Sequence, residues 1–419
     1  MKSYNTTNVR NVVLLGSTKA GKTTLVESML YEGKVIDRRG AVENKNTVSD
    51  NTEIEQIYQR SIYSTLLYTE FMDNKLNFID TPGSDDFVGG VISAFSVCEA
   101  GVMLVNATQG VEVGTDIFAR YAKQYNKPLI FAVNQLDSEK QDWHATIDSM
   151  RAMLGKRMVL IQMPVNPGTG FDTFIDVLTN KCYHFKDENG TREEMPIPDE
   201  LADEVAQMRQ NMMEVAAEGT EELMEIFFEK GELTIDQMRA GLSAGIAAGT
   251  AYPVFCLSAK RDIGVKRLME FIINVVPAPS KKEAKLKNGG TVKFDASAPT
   301  SLFVFKTAQE QHLGDVTYFK VITGTLKEGD DLINPETGNK ERISAIYAVA
   351  GKKREKVSEV HAGDIACTVK LKSVKSNQTL CAPGCDNVYE PTQYPAPKYR
   401  TAIKAKEEKD EEKLGELLS

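Results

Sequence analysis

One segment limits what this 419-residue chain can fold into more than any other. Gly16-Ser17-Thr18-Lys19-Ala20-Gly21-Lys22-Thr23 fits G-x-x-x-x-G-K-[ST]. Before it, Asn11-Val12-Val13-Leu14-Leu15 predicts a short buried strand. After it, Thr24 opens a stretch in which Leu25, Met29 and Leu30 fall on one side of a helix. Strand, glycine loop and helix together form the context in which this pattern binds phosphates. The glycines let backbone N–H groups converge on phosphate oxygens, and the helix N-terminus adds its positive end. Lys22 is expected to reach the β- and γ-phosphates, and the Thr23 hydroxyl to ligate Mg²⁺. The bland alternative is a glycine turn with no ligand, and the flanking pattern argues against it. A nucleotide is therefore expected on Gly16, Ser17, Thr18, Lys19, Ala20, Gly21, Lys22, Thr23 and Thr24.

Further short motifs follow in order, each at the end of an expected strand. Leu76-Asn77-Phe78-Ile79 leads into Asp80-Thr81-Pro82-Gly83. There Asp80 could hold Mg²⁺ through water, and the Gly83 N–H could approach a γ-phosphate. Pro128 to Val133 delivers Asn134-Gln135-Leu136-Asp137. A carboxylate at Asp137 can accept from both N1–H and N2–H₂ of guanine, donors that adenine lacks. Val254-Phe255-Cys256-Leu257 delivers Ser258-Ala259-Lys260, whose backbone could bond the guanine O6. Each is weak alone; their shared order and position are not.

In this set and order the chain resembles the P-loop translational GTPases, and specifically bacterial elongation factor G as a divergent relative. The resemblance extends through Ala100–Ala107 and through Phe305-Lys306, Gly314 to Gly329 and Val360–Ile365. It implies an α/β P-loop GTPase domain with a helical or mixed insert, followed by an all-β translation-factor barrel. Implied cofactors are GTP/GDP and Mg²⁺, and the implied partner is the ribosome, through ribosomal RNA and the stalk protein.

The departures from the family pattern matter as much as the matches. Lys19 stands where the family usually carries Asp, and Gln135 where it carries Lys. Gln135 keeps an amide that can lie over a base but loses the charge and the long stem. The family's Asp-Thr-Pro-Gly-His reads here Asp80-Thr81-Pro82-Gly83-Ser84. That His orients the attacking water in the family, and losing such a group typically costs on the order of 10²–10⁴-fold. No catalytic residue is assigned with Ser84 at that position. The switch I hydroxyl that ligates Mg²⁺ falls on Ser61 when counted back from Asp80 without a gap. A shift of two residues would place Tyr63 there instead. The expected metal ligands are thus Thr23, Ser61 and Asp80.

Composition enters through the distribution of charge. The net charge of −9 argues against a simple nucleic-acid-coating protein. However, Asp187 to Gln237 alone holds sixteen acidic and three basic residues, so the rest of the chain is net basic. A body of that kind can dock on ribosomal RNA. The acidic stretch reads either as a solvated helical face or as a docking surface for a basic partner, for which the stalk is the family's candidate. Met208, Met212, Met213 and Met224 read as core.

The expected organisation is a GTP-binding domain over 1–280, with an acidic subdomain inserted at about 156–249. A Lys-rich linker at 281–298 precedes a barrel at 299–385. Lys352, Lys353, Arg354 and Lys356 form its most basic loop. Residues 386–419 read as a linker, one strand over Arg400–Lys406 and a charged helix, the opening of a third domain cut short. No apolar run approaches the roughly 18 residues of a membrane span. Six scattered cysteines give no disulfide framework, and Cys381 and Cys385 lack a second pair for zinc. A cytoplasmic monomer with no membrane partner is expected.

Three functions remain open on these residues. One is a factor acting in tRNA–mRNA translocation, with hydrolysis weak or absent because of Ser84. The others are a fully active ribosome-dependent GTPase and a ribosomal protection factor of the tetracycline-resistance type.

Overall fold

The computed structural model describes residues 2–187, 190–310, 313–397 and 399–418. The strands of the first 280 residues begin with β1 (Val9–Leu15), β2 (Thr65–Phe71), β3 (Asn74–Asp80), β4 (Ala100–Asn106), β5 (Leu129–Asn134) and β6 (Met158–Leu160). Then come β7 (Gln162–Pro164), β8 (Thr173–Asp176), β9 (Lys181–Phe185), β10 (Arg192–Met195) and β11 (Tyr252–Cys256). Their helices are α1 (Lys22–Glu32), α2 (Glu53–Tyr58), α3 (Val88–Val97), α4 (Val113–Gln124), α5 (Trp143–Leu154), α6 (Ala202–Ala217), α7 (Glu221–Lys230), α8 (Ile235–Ala248) and α9 (Val265–Val275).

A seven-stranded sheet runs β2-β3-β1-β4-β5-β11-β6, with β2 antiparallel to β3 and the other neighbours parallel. Helices cover both faces, so β4 and β5 are buried along their whole length and read as continuous apolar runs. Strand order reverses between β1 and β4, and the crevice outside the carboxyl ends there is where such sheets bind ligands.

The expected insert begins later than the sequence suggested. Met158–Leu160 is a buried edge strand of the main sheet, paired with β11, because it completes the crossover begun by α5. Beyond it, β7 to β10 form a separate antiparallel sheet, and α6, α7 and α8 follow. Met212 is fully buried and Met208 and Met213 are partly so, whereas Met224 is exposed, so the reading of all four as core fails at α7.

The stretch 281–298 is more than a linker. Glu283–Lys285 pairs with Thr291–Lys293, and Lys287 and Glu390 join this hairpin to the chain after the barrel by backbone bonds of 2.8 and 3.0 Å. From Ser301 to Cys381 a curled antiparallel eight-stranded sheet wraps an apolar cluster that includes Val304, Phe319, Ile346 and Leu380. Arg400–Lys406 carries no strand, since no other described strand offers it a ladder. A charged helix, α10 (Glu411–Leu418), follows.

Buried polar contacts fasten the domain built on the seven-stranded sheet to the barrel. Lys75 bonds Asp364 at 2.8 Å, with exposures of 0% and 5%, and Lys320 pairs with Glu99. Lys306 donates to the Ser64 carbonyl, and a Cβ on Gly351 would lie 2.1 Å from the Val48 carbonyl oxygen. Charges so deeply buried destabilise when either partner is lost. The chain between α1 and β2 thus rests directly on the barrel.

Candidate nucleotide-binding site

The glycine loop lies where the sequence places it, between β1 and α1. Gly21 caps α1 with φ +95°, and a Cβ there would meet Asn134 Nδ2 at 2.3 Å, so only glycine fits. Lys22 is buried and donates to the carbonyls of Gly16 (2.8 Å) and Ser17 (3.1 Å). Burial pulls its ammonium down to about 8, against the opposing charges of Asp80 and Asp50.

The base motifs form a closed clasp at the ends of β5 and β11. Asn134 Nδ2 donates to the Ala20 carbonyl at 2.9 Å, and its Oδ1 accepts the Ala259 N–H at 2.9 Å. One side chain therefore joins the glycine loop to the Ser258-Ala259-Lys260 loop. Gln135, in the left-handed region at φ +65°, donates to the Lys19 carbonyl at 2.8 Å. Ser258 is buried, and its hydroxyl accepts the Arg261 N–H. A cavity of about 760 Å³ is lined by Gly21, Thr24, Asn134, Gln135, Asp137 and Lys260 together with Arg38 and Arg39, and Arg39 donates to the Lys260 carbonyl at 3.0 Å. Its volume falls in the range of small-molecule sites.

A second cavity of about 510 Å³ shares Gly21, Thr24 and Gln135 with the first and extends to Thr18, Lys19, Lys22, Thr23, Ser61 and Gly83. Gly83 lies directly on the glycine loop, since a Cβ would come within 2.5 Å of Thr18 N and 2.7 Å of Lys22 Nζ. Asp80 accepts from Thr23 Oγ1 at 2.8 Å, and Thr23 Oγ1 stands 3.4 Å from Ser61 Oγ. Thr23, Ser61 and Asp80 are thus brought together, while Tyr63 is half exposed.

Two residues that sequence reasoning missed join this cluster. Ser49 donates to Asp80 at 2.6 Å, and Asp50 is buried beside it with its carboxyl bonded to Ser61. Burial, then the Asp80 charge, pushes the Asp50 carboxyl up to about 7, and burial likewise raises Asp80. One oxygen of each has no protein partner. A divalent cation suits such a set: two hydroxyls and two crowded carboxylates, hard oxygen donors with lone pairs to spare.

Buried glutamates hold the irregular switch I chain in place. Glu55 completes a capping box with Thr52 on α2, and its Oε1 accepts the N–H groups of Ile62 (3.0 Å) and Tyr63 (3.1 Å). Glu27 on α1 accepts the N–H groups of Gly40 and Val48. No local pattern announces either role, because both partners lie in segments without periodicity.

Ser84 has turned onto its own loop and donates to Asp86 Oδ2 at 3.0 Å. Among the described residues no histidine lines either cavity. His144 is on α5, His184 bonds Thr173 in the insert, His361 bonds Thr325 in the barrel, and His312 lies outside the described residues.

A glycine-loop lysine, a strand-end carboxylate at a hydroxyl pair and an Asn-centred base clasp define a P-loop GTP-binding domain. Residues 7–278 match the family described as elongation factor Tu GTP binding domain, and residues 299–383 match elongation factor G domain 2. The chain belongs to the translational GTPases, of the elongation factor G type. It is also similar to a solved protein structure from Thermus thermophilus, with a TM-score of 0.86 and 28% sequence identity. That match covers 98% of this chain and 60% of the other, so this chain spans about three fifths of that relative's length. Among the described residues no helix is long and apolar enough to cross a membrane.

Proposed function

We propose that this chain is a GTP-gated factor that docks on the ribosome during tRNA–mRNA translocation and hydrolyses GTP weakly or not at all. The observation that carries the second half is Ser84. Its hydroxyl is bonded to Asp86, and it is too short to orient water as an imidazole does. Binding alone can drive a two-state switch, provided the γ-phosphate favours one state.

On this reading Asn134, Gln135, Asp137, Ser258, Ala259 and Lys260 hold guanine, and Gly16 to Thr24 hold the phosphates with Gly83 against the last of them. Thr23, Ser61 and Asp80 would hold Mg²⁺, with Asp50 beside them, and the ion would neutralise phosphate charge when bound. The acidic insert receives a basic partner, for which the ribosomal stalk protein is the candidate. Glu221, Glu222, Glu225 and Glu229 surround the exposed Phe228 and Met224 on α7, which supports a docking face over a purely solvated one. The basic remainder of the chain faces ribosomal RNA, and the factor acts as a cytoplasmic monomer.

Cosedimentation with ribosomes, with phosphate release measured in the same samples, tests the proposal. Retention with GTP and its β,γ-imido analogue, loss with GDP, and slow phosphate release are expected. Brisk ribosome-stimulated release by the unmodified chain would sink it. Reversing Glu221, Glu222 and Glu225 to Lys should weaken stalk binding severalfold, most at low salt; unchanged binding would return the insert to a solvated face.

A further inference from the structure

The second cavity has one cation that the reading above does not use. Lys22 already spends donors on the Gly16 and Ser17 carbonyls at the root of the loop. Arg60 lines the same cavity, beside Ser61 and together with Gly83. Its backbone is fixed: Arg60 N donates to the Glu55 carbonyl at 3.2 Å, after Gln59 turns the chain at φ +48°. Its side chain is exposed, and its guanidinium carbon lies 5.8 Å from the ring centres of both Tyr58 and Phe87. Tyr58 ends α2 in switch I, the chain before β2, and Phe87 follows Gly83-Ser84 in switch II, the chain after β3, so this guanidinium spans the two switches. Among the described residues it makes no ion pair with a carboxylate.

An arginine without a counter-ion, steadied by two rings at the mouth of a phosphate cavity, is suited to a tetrahedral oxyanion. The planar fork donates two parallel hydrogen bonds to a phosphate. Arg60 neighbours the metal-site hydroxyl Ser61, which stands 3.4 Å from Thr23 Oγ1, and both line the cavity with Gly83. The outermost phosphate of a triphosphate belongs at that end. The α- and β-phosphates belong to the glycine loop and Lys22, and the base to the Asn134 clasp, and Arg60 touches neither.

Building on the guanine-nucleotide reading of the cleft, we propose that Arg60 recognises the γ-phosphate and sets the preference for GTP over GDP. The contact draws Tyr58 and Phe87, and with them the two switches, toward the terminal phosphate. It also gives the γ end a charge-neutralising group where Ser84 leaves no proton-handling one. Such a site holds GTP tightly without positioning water.

Equilibrium titration of the full chain in Mg²⁺ with GDP and with the β,γ-imido analogue of GTP tests this. Arg60→Ala should weaken the imido analogue by about tenfold or more, the worth of a charge-assisted hydrogen bond, and leave GDP within about twofold. Arg60→Lys should recover part of the loss, since it restores the charge without the fork. Equal losses for both nucleotides, or none for either, would overturn the assignment of Arg60 and leave guanine binding intact. Failure of the unmodified chain to bind either nucleotide would overturn the guanine reading and this proposal with it.

Discussion

The two ends of the nucleotide cleft are built to different degrees of completion. At the base end the clasp residues Asn134 and Gln135 have their partners before any ligand arrives. Asn134 ties the Ala20 carbonyl to the Ala259 N–H, and Gln135 closes on the Lys19 carbonyl. At the γ end Asp50 and Asp80 crowd each other with oxygens unpaired, and Ser84 looks away toward Asp86. The base end is preorganised and costs little reorganisation to occupy. The γ end is strained by negative charge that a cation would relieve, so its shape depends on what is bound. A cleft of this kind should bind guanine firmly and signal through the triphosphate end.

The comparison breaks first at Asp137. Replacing it by Asn should cut GTP and GDP affinity together by about 10²–10³-fold, because two charge-assisted bonds to guanine are lost. Competition titrations against ATP would show the selectivity collapsing. If ATP already binds the unmodified chain as well as GTP does, the base end has been misassigned.

A smaller effect sharpens the picture behind the base loop. Asp262 is buried beside Glu32, and burial, then the Glu32 charge, pushes its carboxyl up to about 8. An acid whose folded pKa is raised keeps its proton in the fold while the unfolded chain releases it. Its contribution to stability is therefore greatest below the ordinary carboxylate range near 3.8 and is lost progressively as pH rises toward 8. Asp262→Asn should raise the melting temperature by a few degrees at pH 8 and by progressively less toward pH 5. An equal shift at both pH values would mean that burial does not raise the Asp262 carboxyl.

How much of this was legible in the sequence follows the same division. Gly16 to Thr23, Asp80, Asn134 to Asp137 and Ser258 to Lys260 sit at the ends of apolar strands, and the strands place them. Ser49 and Asp50 gave no such signal, since their positions depend on Glu27 and Gly351 meeting Val48 from distant elements, and Glu55 gave only its local cap with Thr52, three residues away. Ser61 stands 3.4 Å from Thr23 Oγ1, and only counting residues back from Asp80 points to it in the sequence. The edge strand at Met158–Leu160 and the hairpin at 283–293 were missed because three-residue strands carry almost no periodicity. The barrel was readable from its regular short strands and glycine turns. Its grip on switch I was not, because Lys306 and Gly351 look in sequence like ordinary strand and turn residues.

The measurement that bears most directly on an incomplete γ end is single-turnover GTP hydrolysis on ribosomes by the unmodified chain and by Ser84→His. The geometry predicts little phosphate release from the unmodified chain and a gain of about 10²–10⁴-fold on restoring an imidazole. Fast ribosome-stimulated release by the unmodified chain, left unchanged or slowed by Ser84→His, would contradict it.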